Sequence, residues 1–136
     1  MNAIDTNVLA RFFINDADDP EAAKQRPVAI AALTGKVYVP MSVILEFEWV
    51  MRGFYALSRK DIRRVFESLC GLENVQIENR GSVLAALNGH QRGLDFADAL
   101  HLACANSCSI FLSFDRRLQK RANAAGLTPT VEAPKA

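Results

Sequence analysis

The sequence has few cysteines and no long apolar run, and each shortage excludes a class of protein. The three cysteines, Cys70, Cys104 and Cys108, are an odd number, which disfavours a disulfide framework and favours a reducing cytoplasm. His101, Cys104 and Cys108 share helical spacing, but we expect the cysteines to be structural rather than metal ligands. The longest apolar run, Val28–Leu33, is far too short to cross a bilayer, so no membrane is expected as a partner. No basic region leads into an apolar stretch at the N-terminus, so no signal peptide is expected.

The chain also lacks an excess of either charge. It has 16 basic and 15 acidic residues, for a net charge of +1, which argues against a general nucleic-acid coat protein. A local basic patch beside an acidic site remains compatible with this balance. At 136 residues, half of them apolar, the chain is long enough to bury one substantial core.

Short apolar runs alternate with longer helical patterns along the chain. We expect strands at Met1–Ile4, Lys36–Val39, Val75–Glu78, Ile110–Phe114 and around Thr130-Val131. We expect helices at Thr6–Ile14, Glu21–Leu33, Ser42–Ala56, Arg59–Cys70, Arg80–Gln91, Phe96–Asn106 and Arg116–Ala124. Pro27 is expected to kink or break the second helix. The alternation predicts an α/β domain with a parallel sheet.

Two aspartates follow predicted strands directly. Asp5 comes after the first strand and Asp115 after the Ile110–Phe114 strand. Ligands of open parallel sheets bind outside the C-terminal ends of the strands, so both are candidate site residues. Each aspartate also precedes a helix, where Asp is a favoured N-cap. Both interpretations remain open at this stage.

Two glutamates share the predicted helix Ser42–Ala56. Glu46 has the spacing that places it on one face with Val43 and Val50, whereas Glu48 can form an exposed i,i+4 ion pair with Arg52. We therefore expect Glu48 to be solvated and Glu46 to need a partner, because burying an unpaired carboxylate is costly.

Asp95 and Asp98 open the predicted helix Phe96–Asn106. An N-cap at Asp95 with Asp98 at the third helical position resembles a capping box, which explains Asp95 well. The i+4 neighbour of Asp98 is the apolar Leu102, so Asp98 is expected on a partly buried face. Asp98 is therefore a further site candidate.

Together these acids predict a cation site. If Asp5, Glu46, Asp98 and Asp115 converge on one crevice, their mutual repulsion would be relieved by a hard divalent cation. All-oxygen ligands suit Mg²⁺ or Mn²⁺, and such a site can activate water against a phosphodiester.

Four ordered motifs resemble those of PIN domains, and more narrowly of the VapC toxins of bacterial toxin–antitoxin pairs. The motifs are Asp5-Thr6-Asn7-Val8-Leu9, Leu45-Glu46-Phe47-Glu48-Trp49-Val50, Asp95-Phe96-Ala97-Asp98-Ala99-Leu100-His101-Leu102-Ala103 and Ser113-Phe114-Asp115-Arg116-Arg117-Leu118. Each motif is weak alone, but four in this order and spacing are specific.

The resemblance implies a three-layer α/β/α sandwich with a central parallel sheet, and it covers residues 1–131. We expect residues 132–136 to form a flexible tail. It also implies an endoribonuclease that depends on Mg²⁺ or Mn²⁺, is inhibited by a cognate VapB-like antitoxin, and forms a homodimer. The acids of the family fall on Asp5, Glu46, Asp98 and Asp115, with Asp5, Asp98 and Asp115 as metal ligands. Near these acids the resemblance places the hydroxyls of Thr6 and Ser113 and, beside them, Asn7; Asp95 is a lesser candidate because capping explains it.

Basic and aromatic residues surround these motifs. Arg116, Arg117, Lys120 and Arg121 follow Asp115 and are candidate RNA-phosphate contacts, with a solvated helix face as the alternative. Core packing is the default expectation for Trp49, Phe54, Tyr55 and Phe66, although the resemblance implies that their two helices form a groove for an antitoxin peptide.

Other functions compete with the nuclease hypothesis. A non-catalytic RNA- or protein-binding module with the same fold is the main alternative, and the complete set of acids argues against it. A phosphoacceptor domain is disfavoured because no second acid adjoins Asp5 and no lysine follows Ser113-Phe114-Asp115. The acids do not distinguish RNA from DNA as substrate.

Overall fold

The computed structural model describes residues 1–136, which form two compact units. We call Met1–Arg80 the N-terminal unit and Gly81–Ala136 the C-terminal unit. Parallel strands alternating with helices occur in both, which confirms the predicted α/β class. No helix combines the length and the apolar character that a membrane span requires.

The N-terminal unit is built on a three-stranded parallel sheet. Its strands are β1 (Asn2–Ala3), β2 (Val37–Val39) and β3 (Val75–Ile77), in the order β1-β2-β3. Its helices are α1 (Thr6–Phe13), α2 (Pro20–Ala32), α3 (Met41–Trp49) and α4 (Arg59–Cys70). The core between them contains fully buried Leu9, Ile44, Phe47, Met51 and Phe66. Burial of this apolar surface is the main force that holds the helices on the sheet.

The C-terminal unit is built on a two-stranded parallel sheet. Helix α5 (Arg80–Gln91) leads into it and is followed by α6 (Phe96–Cys104), β4 (Ile110–Leu112), α7 (Arg116–Ala124) and β5 (Thr130–Glu132). Strands β4 and β5 pair in parallel, and Asn123 in α7 holds the Val131 backbone through bonds of 2.9 and 3.0 Å. This pairing brings α7, and therefore Asp115 at its start, against the sheet.

The predicted helices need two corrections. The helix expected at Ser42–Ala56 is α-helical only to Trp49 and continues as a π-helical turn, Val50–Phe54. Pro27 does not divide its helix, because α2 runs unbroken through it. Pro27 lies on the exposed side of α2, where water can hydrate the carbonyl that proline leaves without an amide donor.

The expected exposure of the two glutamates in α3 is wrong. The buried face of α3 and the π turn is formed by Ile44, Phe47 and Met51, and Glu48 lies within it at 3% exposure. Glu46 lies on the exposed side. The predicted pair between Glu48 and Arg52 is confirmed, with Arg52 Nε 2.9 Å from Glu48 Oε2. This pairing neutralises a carboxylate that would be costly to bury alone.

Glu48→Ala should lower the free energy of unfolding by about 1.5–3 kcal/mol, as expected when a charge-assisted hydrogen bond is lost from a buried position. Urea denaturation measures the change. Arg64→Ala is the control, because its 3.9 Å pair with Asp61 is largely exposed and its loss should cost less than about 1 kcal/mol. Equal losses in the two variants would contradict a stabilising role for the Glu48 pair.

Two expectations about burial are also wrong. Trp49 and Phe54 are 59% and 71% exposed rather than packed in the core, whereas Phe66 is buried as predicted. Cys104 and Cys108 are exposed, so only Cys70 is a buried structural cysteine. Exposed aromatic rings are unfavourable in water, so Trp49 and Phe54 are candidates for contact with a ligand or a partner.

Candidate functional site

The N-terminal unit contains a cavity of about 350 Å³ with carboxylates in its wall. We call it the N-terminal acidic cavity; its lining is Asp5, Thr6, Asn7, Ala10, Arg11, Glu46, Trp49, Val50, Phe54 and Tyr55. Asp5, Thr6, Asn7 and Glu46, all predicted as site residues, therefore share one cavity. A volume of this size lies in the range of small-ligand sites.

The two interpretations that the sequence left open for Asp5 are compatible with each other in the structure. It is the N-cap of α1, and its Oδ1 accepts a 2.8 Å hydrogen bond from the Thr6 amide. The residue is exposed, and a carboxylate has a second oxygen with further acceptor capacity. Capping thus orients the carboxylate without excluding a ligand from it.

Glu46 is held by a buried hydroxyl. The Thr6 side chain, which is 5% exposed, donates a hydrogen bond to Glu46 Oε1. This contact joins the first turn of α1 to the middle of α3, two elements far apart in sequence. Thr6 therefore positions Glu46 in the wall of the cavity while leaving Glu46 Oε2 available.

The C-terminal unit contains a second acidic cavity, of about 180 Å³. We call it the C-terminal acidic cavity; its lining is Leu94, Asp95, Asp98, Asp115, Arg117, Leu118 and Arg121. It gathers the remaining predicted acids together with two of the four predicted basic residues. Arg116 and Lys120 are exposed and are not part of its lining.

Asp115 is fixed at the N-terminus of α7. Its Oδ1 accepts a 3.0 Å bond from the Leu118 amide, and its own amide donates a 3.0 Å bond to Ser113 Oγ. Gln119 Nε2 donates to the Ser113 carbonyl at 2.9 Å. Ser113 therefore orients the backbone of Asp115 rather than presenting its hydroxyl to the cavity.

Asp95 does not cap its helix through its side chain. It occupies the N-cap position of α6, yet its carboxylate makes no capping hydrogen bond, so the reason for ranking it below the other acids is wrong. The carboxylate instead contributes to the cavity wall with Asp98 and Asp115. Asp95 is therefore a candidate site residue on the same footing as Asp98 and Asp115, which line the same cavity.

The pKa of Asp98 is raised above its ordinary value. Partial burial is the largest cause, followed by the negative charges of Asp95 and Asp115, while His101 acts in the opposite direction. Removing a carboxylate from water and placing other carboxylates beside it both disfavour its ionised form. The cavity therefore carries crowded negative charge that a cation would relieve.

Two arginines bring positive charge to the same cavity. Arg121 Nη1 donates a 3.2 Å hydrogen bond to the Gly93 carbonyl, which anchors its guanidinium. Arg117 is exposed and lies one turn before Arg121 on α7. Guanidinium groups beside carboxylates are suited to hold the phosphates of a polyanion next to a cation site.

Some residues of the N-terminal acidic cavity were missed by the sequence analysis. Arg11 lies one turn after Asn7 on α1, and Trp49 lies one turn after Glu46 on α3. Helical spacing of three or four residues could have placed both on the faces of predicted site residues. Tyr55 carries no such signal, because only the π turn brings it to the cavity.

The donor chemistry of these acids fits a hard divalent cation. Carboxylate oxygens with a neighbouring hydroxyl are the ligands that Mg²⁺ and Mn²⁺ prefer, and neither thiolate nor imidazole lines either acidic cavity. No three His, Cys, Asp or Glu side chains, however, form a group able to hold an ion as the structure stands. The chemical type of these side chains therefore supports a cation site, whereas the spacing of the side chains would have to tighten around an ion.

The chain is similar to known proteins in two comparisons. A family model described as PIN domain matches residues 3–124. A protein of Aquifex aeolicus (strain VF5) named VapC ribonuclease is 28% identical to the chain over 123 residues, covering 88% of this chain and 91% of that protein.

Proposed function

The chain belongs to the PIN domain family, and from that premise we propose that it is a metal-dependent endoribonuclease, the toxin of a VapBC-type toxin–antitoxin pair. The observation that carries the proposal is that the predicted acids line two cavities, one of which shows the charge crowding that a cation relieves. The relative named VapC ribonuclease, similar along most of both chains, supports RNA as substrate.

The proposed ligands of Mg²⁺ or Mn²⁺ are Asp5, Asp98 and Asp115, with Glu46 as a ligand or as the group that orients water. When bound, the cation would supply positive charge against the phosphodiester and acidify a water molecule. Asp95 joins this set as a supporting carboxylate, because its side chain has no capping bond.

The side chains of the protein would prepare the attack on phosphorus. Glu46 Oε1 is occupied by the Thr6 hydroxyl, so Glu46 Oε2 is the atom proposed to accept a proton from the attacking water. Asp115 is held by its cap and by Ser113, which preserves its orientation when RNA binds. Asn7 would assist as a neutral hydrogen-bonding group in the same cavity as Asp5 and Glu46.

RNA cleavage is the direct test of this proposal. Purified protein in Mg²⁺ or Mn²⁺ should cut total bacterial RNA into discrete fragments whose ends identify the target. Intact RNA, together with measurable RNA binding by the folded protein, would instead support the non-catalytic binding module with the same fold.

We also propose that RNA phosphates bind beside the C-terminal acidic cavity. The sequence predicted Arg116, Arg117, Lys120 and Arg121 for this role, and the proposal assigns the phosphates to Arg117 and Arg121, which line the cavity. Arg117→Ala should weaken RNA binding and reduce the slope of log affinity against log salt by about 0.7, the value for one phosphate contact on a single strand. Lys120→Ala on the same helix is the matched control, and an equal loss in both variants would indicate only a diffuse basic surface.

The proposal extends to partners and location. A cognate VapB-like antitoxin would inhibit cleavage, the active chain would be a homodimer, and both would act in the cytoplasm. Light scattering of the purified chain measures the dimer, and a monomer at working concentration would remove that part of the proposal.

A further inference from the structure

We propose that Trp49 is a stacking platform for an unpaired nucleobase of the RNA, at the N-terminal acidic cavity. The inference rests on the proposed function, because it assigns a nucleotide-binding role beside the proposed carboxylates. It is carried by four observations: the open space that Gly53 leaves beside the indole ring, the exposure of the ring, its distance along the helix from Glu46, and an anchored arginine in the same cavity.

The indole of Trp49 lies beside Gly53. A methyl group built on Gly53 would lie 3.5 Å from Trp49 Cε2 and 3.7 Å from Trp49 Cζ2, so an added side chain would just reach van der Waals contact with the ring. The π-helical turn Val50–Phe54 carries Gly53 to that place. Glycine therefore leaves the space beside this part of the ring open, whereas any larger side chain at position 53 would touch the indole.

The rest of the indole faces water. Trp49 remains 59% exposed although it lies in the wall of a cavity, and Phe54 beside it is 71% exposed. Two exposed aromatic rings at one cavity are an unfavourable arrangement for an isolated surface and a favourable one for a flat ligand. Nucleobases are flat, and stacking on an aromatic side chain accepts any base because every base has a π face.

Trp49 lies close to the proposed chemistry. It follows Glu46 by three residues on α3, so the two side chains are neighbours on one helix face and line the same cavity. A base stacked on Trp49 would bring its attached phosphate toward the wall that contains Glu46 and Asp5. This continuity with the carboxylates favours a nucleotide over an apolar peptide as the occupant.

Arg11 supplies a positive group in the same wall. Its Nε donates to Gln25 Oε1 and its Nη1 to Tyr55 Oη, each at 2.8 Å. These two contacts hold the guanidinium at the cavity and leave further N–H donors for a ligand. A fixed guanidinium next to an aromatic platform matches the phosphate and base of one nucleotide.

The sole tryptophan of the chain makes the proposal directly measurable. Because Trp49 is the one tryptophan in the sequence, intrinsic tryptophan fluorescence reports on this ring alone. Titration with oligoadenylate or oligouridylate in Ca²⁺, with the RNA checked by gel to be intact, should quench this fluorescence saturably. The same oligonucleotides annealed into a duplex should quench it much less, because their bases are already stacked and paired.

Variants separate stacking from general surface effects. Trp49→Ala should weaken binding of fluorescein-labelled oligoadenylate by roughly 5- to 150-fold, the equivalent of about 1–3 kcal/mol for one stacked base. Trp49→Phe should retain most of the affinity. Ile30→Ala removes an exposed apolar side chain of α2 outside this cavity and should have no effect. Circular dichroism confirms that each variant is folded.

The outcomes distinguish this inference from the proposed nuclease activity. Absence of quenching by single strands, equal quenching by duplex, or unchanged RNA affinity in folded Trp49→Ala would overturn the stacking platform even if the protein cleaves RNA. Saturable quenching and loss of affinity in Trp49→Ala, without cleavage of any RNA, would support the platform and reject the nuclease.

Discussion

Asp5→Asn is expected to abolish RNA cleavage while leaving the fold intact. Asp5 caps α1 by accepting the Thr6 amide, and Asn is an equally good N-cap, so the helix start should survive the substitution. The variant removes the negative charge that the proposed cation needs. Because loss of a group that only supports a metal ligand costs about 10- to 100-fold, loss of a ligand should reduce cleavage by more than about 100-fold. A single-turnover assay with the RNA identified by fragment mapping measures this effect.

Asp19→Asn is the matched control for this substitution. Asp19 caps α2 through bonds of 3.0 and 3.3 Å to the amides of Glu21 and Ala22, and it lies outside both acidic cavities. Its replacement should change neither cleavage nor stability appreciably. Full cleavage by Asp5→Asn would show that the Asp5 carboxylate has no part in the reaction. An equal loss of cleavage in Asp19→Asn would show that Asp5 acts only as a helix cap.

Asp98→Asn is expected to lose divalent-cation binding without losing stability. Burial and the charges of Asp95 and Asp115 raise the pKa of Asp98. The ionised carboxylate is therefore repelled by its neighbours in the folded protein, and this repulsion lowers the free energy of unfolding. A neutral amide relieves the repulsion, so the free energy of unfolding should stay constant or rise. The affinity for Mn²⁺ should fall by more than about 100-fold, because a ligand is lost rather than a supporting group. Calorimetric titration with Mn²⁺ measures the affinity, and EDTA should abolish cleavage by the unaltered protein.

Asp61→Asn tests whether position on a helix explains this effect. Asp61 is the third residue of α4 after the cap Ser58, just as Asp98 is the third residue of α6 after Asp95. Both aspartates interact favourably with the helix dipole, so the two substitutions cost the same in that respect. Unchanged Mn²⁺ binding in Asp98→Asn, or a clear loss of stability unlike that of Asp61→Asn, would reject Asp98 as a metal ligand.

Local chemistry made much of the fold predictable from the sequence. The bounds of α4, α5 and α7 agree with the predicted helices, because signals such as the cap Ser58 act over a few residues. The first four strands were predicted slightly too long, since an apolar pattern does not show where strand pairing ends, and the fifth was predicted one residue too short. The family was likewise predicted from four short motifs and is confirmed by the match over residues 3–124.

The orientation of α3 was not predictable in the same way. Its sequence is apolar on both sides of Glu46 and Glu48, so helical periodicity does not indicate which face is buried. Packing against the core decided that Phe47 and Met51 turn inward and take Glu48 with them. The π turn then placed Gly53 beside the Trp49 ring, which no local propensity indicates.

By itself the sequence determined which elements form, where most of them begin, and which acids are candidates for the site, because caps, periodicity and motif spacing are properties of neighbouring residues. Only the tertiary structure decided that the Thr6 hydroxyl holds Glu46 and that the Asp95 side chain makes no capping hydrogen bond. It also decided that Arg117 rather than Lys120 lines the C-terminal acidic cavity. Each of these depends on side-chain contacts between separate elements or on the rotation of one helix. Such contacts arise from packing of the whole unit, and no short stretch of sequence encodes them.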